Sequence, residues 1–338
     1  WPADTTGFTD FTGDTGWPEA AITRALPSVH STTPGDQPTI LIWRDEPLPA
    51  VSTDDPWRHA MGMLDLARGV DYDLYRTRAP EEGGGNGLGG RATSDQIAAY
   101  TTLLYDCGDV GRHTLGNGDS AHDPSDDLGL LGAWLQQDMR RAFFCGDNLA
   151  SDVAGRGGAG TSFLAEVLGA AVVASDASTV LAGQLSPSVA ALAGNSVLSS
   201  LGGWQIQGGC PSVRTIDLLD PAGTAERLAE YLAADGSGGV YAQAALLRHV
   251  AGDPAHDVVT LPTTLSAVVS RADGGGEVLG VPARVLLLAD VLTAFGQPLD
   301  PFVAAPPALV QTVSCRPNPF NPRATIAFVV PTSGRVTL

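Results

Sequence analysis

Residues 101–147 read TTLLYDCGDVGRHTLGNGDSAHDPSDDLGLLGAWLQQDMRRAFFCGD. Two apolar runs that end in charge, TTLLYDCGD (101–109) and RAFFCGD (141–147), bracket a segment of helical spacing. In that segment Leu128, Leu131, Trp134 and Leu135 fall on one face, and Ser125 or Asp126 is placed to cap it. A short continuous apolar run is how a strand buried on both faces reads. Strand, helix and strand in this order predict a βαβ unit, and hence a parallel sheet.

The same alternation extends outward. TILIWRD (39–45) predicts a buried strand, Trp57 to Arg68 a helix, and VDYDLYR (70–76) a second strand. Thr93 to Gln96 has the form of a capping box, and SFLAEVLGA (162–170) has helical spacing. Beyond residue 175 the pattern loosens. TVLAGQL, GWQIQG, GGVYAQAALL and DVVTLPTTLSAVVS predict shorter, partly antiparallel strands, with a helix at 222–234 capped by Thr224. Pro282 to Phe295 predicts a last helix, closed by Gly296. The expected division is a Thr/Gly/Pro-rich segment at 1–37, an α/β domain at 38–296, a Pro-rich linker at 297–315 and a separate module at 316–338.

Composition limits the functions to consider. The chain has 338 residues, 43% apolar and 17% charged, which predicts a globular protein with a sizeable core. Its net charge is −18, and all 19 of its basic residues are arginine. Nucleic-acid binding needs a basic footprint, so nucleic acid is not an expected partner. An anionic membrane surface is not expected either, and no run reaches membrane-spanning length. The acidity suits a secreted protein. No signal peptide is visible, and the chain is expected to be a mature piece of a longer one. Cys107, Cys145, Cys210 and Cys315 show neither zinc spacing nor the density of a disulfide scaffold.

Pro317-Asn318-Pro319-Phe320-Asn321-Pro322, followed by TIAF (325–328), Pro331, Gly334 and VTL (336–338), resembles the start of FlgD-like immunoglobulin-like domains. The same pattern opens the C-terminal sorting domain of type IX secretion cargo. The resemblance implies a truncated β-sandwich start, with 325–330 and 335–338 as a loosely held hairpin. It also implies a secreted or cell-surface bacterial protein whose partner is the secretion machinery or a surface anchor. ILIWRD, GNGLGGRAT, LLYDCGD, DPSDDLGLLGAWL and FFCGDNLASD resemble the α/β domain found ahead of such tails. That implies a three-layer, mainly parallel α/β sheet of the flavodoxin-like or class I glutamine-amidotransferase-like kind; the role expected of the domain is binding or structural.

Chemistry would concentrate at the carboxyl edge of such a sheet. In FFCGDNLASD (143–152) Cys145 sits on a strand-to-helix turn, where a nucleophile gains exposure and nearby helix N–H groups. An extracellular hydrolase would use Cys145 as nucleophile, His249 or His256 as base, and the N–H groups of Gly146 and Asp147 for the oxyanion. The amidotransferase elbow is Gly-x-Cys-x-Gly, whereas Phe143 and Asp147 stand at the glycine positions here, and no His-x-Glu follows. A buried Cys145, or one bridged to Cys107, is the competing reading. Asp119, Asp123, Asp126 and Asp127 cluster in GNGDSAHDPSDD (116–127), and Asp147 and Asp152 could complete a calcium site. Otherwise these acids only favour a helix start. GNGLGG (85–90) contains Gly-x-Gly-x-x-Gly, but Glu81 and Glu82 precede it, and it reads as a mobile loop.

Overall fold

The computed structural model describes residues 38–45, 56–77, 97–119, 125–183, 187–206, 215–233, 239–271, 281–297, 299, 313–321 and 323–328. Its first half follows the strand–helix pattern: β1 (Ile40–Asp45), α1 (Pro56–Met63), β2 (Tyr72–Thr77), β3 (Thr102–Asp106), α2 (Asp127–Leu135) and β4 (Arg141–Cys145). Then come α3 (Leu149–Ala154), α4 (Gly157–Ser162), a π-helix (Phe163–Leu168) and β5 (Ala170–Ala174). The second half carries β6 (Ser188–Ala191), β7 (Gly203–Ile206), β8 (Leu218–Pro221), β9 (Glu226–Leu232), β10 (Val240–Ala251), β11 (His256–Leu261), β12 (Val268–Arg271) and α5 (Ala283–Ala294).

Twelve strands form one sheet, in the order β12-β7-β6-β9-β10-β11-β4-β3-β1-β2, with β8 beside β10 and β5 beside β8. Pairing is parallel from β2 through β1, β3 and β4 to β11. From β11 to β10 and onward every described pairing is antiparallel. The expected mainly parallel three-layer sheet is therefore corrected: this is a large mixed sheet with few, short helices. The reason lies in the connections. Parallel neighbours need a crossover of a dozen residues or more, and α1, α2 and the helices after β4 provide such spans. Only a short turn separates β10 from β11, so those strands fold back on each other.

The predicted helix at 222–234 is corrected as well. Residues 226–232 form β9, which pairs with β10 over much of its length. Helical spacing of Leu228, Tyr231 and Leu232 yields there to a long neighbouring strand with unsatisfied backbone groups. In the predicted strand TVLAGQL (179–185), Thr179 closes a 3-10 turn (Ala177–Thr179) and 180–183 are turn residues, while 184 and 185 lie outside the described residues.

β1 is buried at every position, as a strand covered on both faces must be. Its alternate residues feed two cores. Ile40 and Ile42 join Trp57, Phe143, Val259 and most of α5 on one face. Leu41 and Trp43 join Tyr105, Phe144, α2 and the π-helix on the other. α5 is buried along nearly its whole length, including Asp290. That carboxylate accepts from the N–H and hydroxyl groups of Ser199 and Ser200 and from the N–H of Leu201, which offsets its burial.

Near the C-terminus β13 (Val313–Asn321) pairs antiparallel with β14 (Arg323–Phe328). Residues 317–321 of the proline-bracketed segment thus lie within a strand rather than ahead of one, with a register shift between Arg316 and Asn321. Residues 325–328 pair backward with 313–316, and 335–338, the other strand of the expected hairpin, lies outside the described residues. Residues 329–338 lie outside the described residues, as do Cys210 and the GNGLGG loop. No described helix is long and apolar enough to cross a membrane.

Candidate functional site

The carboxyl edge of the parallel strands is closed by its own hydrogen bonds. Cys145 is wholly buried, and its thiol donates to the Tyr105 carbonyl at 3.1 Å. Burial pushes that thiol's pKa well up, helped by Asp106 and Cys107. Cys107 is buried beside it, and both cysteines are free. The supposed oxyanion donors are committed elsewhere. The N–H of Gly146 donates to Thr263 O at 3.0 Å, and that of Asp147 to Gly108 O at 2.8 Å.

The acids of this edge are likewise engaged. Asp106 accepts from the Trp57 indole at 2.6 Å, from Gly108 N at 2.9 Å and from the Thr264 hydroxyl at 3.0 Å. Asp147 accepts from Thr264 N at 3.0 Å. Asp217 accepts from both the N–H and the hydroxyl of Ser151 near the start of α3. Burial raises the pKa of Asp106 and of Asp217, and the hydrogen bonds oppose it.

The acidic loop is tied down in the same way. Asp126 caps α2 through Gly129 N at 3.0 Å. Asp127 accepts from Gly116 N at 2.8 Å, and Asp119 donates its N–H to the Asn117 side chain at 3.1 Å. Asp152 holds Thr114 and pairs with Arg156 at 2.9 Å. Asp123 lies outside the described residues. Among the described residues no group of three or more His, Cys, Asp and Glu side chains is placed to hold a metal ion.

The two histidines stand far from Cys145. Strand register sets Leu261 opposite Cys145 and Asp257 opposite Arg141. His256 opens β11, so at about 3.3 Å per residue it lies roughly 16 Å down the strand. His249, on β10, pairs with Val258 of β11, about 10 Å down and two strands across from Cys145. The three residues of the supposed catalytic group are not brought together.

The histidines meet each other instead. β10 and β11 form a hairpin in which Ala251 faces His256 and His249 faces Val258. Residues 249, 251 and 256 therefore share one face, and the two rings lie diagonally, 6.3 Å apart and edge to face. His249 Nδ1 bonds the Val167 carbonyl at 3.2 Å, and His256 bonds the backbone at Glu166. Both anchors belong to the π-helix, an element often found at functional sites. Gly169, at φ +61°, makes room: a Cβ there would come within 2.6 Å of His249 Cβ.

Around this pair is an open cleft of about 570 Å³, at the amino edge of the parallel strands. Gln136 at the end of α2, Glu166, Thr224 and Asp253 also line it. Burial and His249 push the His256 pKa below its usual value. The sequence named both histidines but tied them to the wrong partner. The signal available was the turn in RHVAGDPAHD, whose length places the two on one face of a hairpin.

No protein family matches this chain, and no curated protein does. The resemblances of 316–338 to FlgD-like and sorting domains, and of 38–296 to amidotransferase-like domains, are thereby corrected. The pairing of β13 with β14 and the mixed sheet point the same way. A solved structure of a ThuA-like protein from Parabacteroides merdae is 11% identical, with a TM-score of 0.41, over 78% of this chain and 92% of that one. So distant a likeness assigns no activity.

Proposed function

We propose that this chain is a non-covalent binding domain whose small-molecule ligand seats in the cleft at the amino edge, on the face covered by α2 and the π-helix. The observation that carries the reading is the contrast between the two edges. At the carboxyl edge the thiol, the acids and the Gly146 and Asp147 amides are committed to internal bonds. At the amino edge a cleft of about 570 Å³ holds two anchored imidazoles, within the volume range of small-molecule sites. Covalent thiol chemistry has no support, since a nucleophilic cysteine needs an adjacent base and a lowered pKa.

The test is a set of thermal melts of the full chain with small amines, carboxylates and polyols, repeated on Gly132→Phe. A Cβ at Gly132 meets no atom within 4 Å, so a larger side chain there fills the cleft without a clash at its root. A ligand that seats in the cleft raises the melting temperature of the wild type and not of the variant. If no molecule of any class stabilises the wild type, or if all stabilise both proteins equally, the reading fails.

A further inference from the structure

Building on that reading, we propose that the ligand is a small organic cation with N–H donors, of the polyamine class, held between the His256 and His249 imidazoles and the Glu166 and Asp253 carboxylates. The first ground is charge. Glu166 and Asp253 line the cleft, no arginine does, and the chain has no lysine. The net charge of −18 draws cations toward the surface as a whole.

The second ground is the tautomer of the rings. A backbone carbonyl only accepts, so His249 Nδ1 must carry the proton it shares with Val167 O. In the tautomer with its single proton there, Nε2 is a lone-pair acceptor. His256 is 8% exposed, bonds the backbone at Glu166, and its Nε2 is buried without a protein partner. A buried acceptor left unmatched is unfavourable, and a donor entering the cleft would satisfy it. In these tautomers the two imidazoles present acceptors beside residues that supply negative charge.

The third ground is shape. The acidic and imidazole groups do not converge as metal ligands do, and the space far exceeds a single ion. Acceptors spread along a cleft suit an extended molecule with several donors. An anion would meet two carboxylates, and a neutral polyol would leave the charge unanswered.

Calorimetry on the full chain with spermidine, putrescine, tetramethylammonium, malonate, sorbitol and zinc ion decides it. The proposal expects spermidine and putrescine to bind, with tetramethylammonium, which has the charge but no N–H donor, at least about tenfold weaker. His256→Phe, which keeps a ring but no acceptor, should weaken spermidine about tenfold. Glu166→Gln, at an exposed position, should weaken it several-fold. If malonate or sorbitol binds in the cleft and the amines do not, the cation assignment falls and the binding reading stands. One-to-one zinc binding without amine binding, or spermidine binding unchanged in both variants, also overturns the assignment. If nothing binds, both fall.

Discussion

Asp73 on β2 is wholly buried and accepts from the Tyr100 hydroxyl at 2.7 Å. Burial raises its pKa from the ordinary 3.8 to about 7, with the Tyr100 bond and Arg68 pulling the other way. The folded pKa is the higher one, so the folded chain holds an extra proton between these values. The stability this contributes is full below about pH 4 and is lost as pH rises through about 7. Asp73→Asn, which keeps the acceptor and abolishes ionisation, should melt higher than wild type at pH 8. The gap should narrow as pH falls and close only below about pH 4, and a gap independent of pH would contradict the account. Cys145 and Cys107 should resist iodoacetamide in the native chain and react only on unfolding; prompt alkylation of Cys145 would restore the thiol hypothesis. Gly146, at φ +148°, has the Cys107 sulfur 2.1 Å from where a Cβ would stand. Gly146→Ala should therefore destabilise by about 2–4 kcal/mol. Cys107→Ala in the same chain should return part of that loss, because the next nearest Cys107 atoms lie at 3.3 and 3.4 Å.

At the scale of elements, α5 is fastened by one charge. Asp290 takes up the polar groups of residues 199–201, and its removal leaves the buried Leu201 N–H without its acceptor and frees the exposed Ser199 and Ser200. Asp290→Ala should cost about 1–3 kcal/mol. It should also raise amide exchange at Ser199, Ser200 and Leu201 well before exchange in β1 or β3; unchanged protection at 199–201 would contradict the clamp. Elements set by local pattern were readable in the sequence. β1, β3 and β4 lie where TILIWRD, TTLLYDCGD and RAFFCGD placed them, and α5 lies where Pro282 and Gly296 bounded it. Elements set by distant partners were not. β9 has helical spacing and becomes a strand because β10 lies beside it. β13 takes in prolines that read as a break, because β14 returns directly against it.

For the whole molecule, the parallel half raised the expectation of chemistry at the carboxyl edge, and the antiparallel half moved the candidate site away from it. The expectation followed from a general rule for open α/β sheets. It failed because the amides and acids at that edge became internal partners, a matter of tertiary pairing that no local motif records. The histidines were legible as residues and not as a pair, since their meeting depends on the β10–β11 hairpin. The location of the ligand is the central claim, and amide spectra of the isotope-labelled full chain titrated with spermidine test it most directly. The account predicts shifts at Gly132, Val167, Ala251 and Gly252, around the histidine cleft. Shifts at Gly108, Gly146 and Asp147 instead, or none at saturating spermidine, would contradict it.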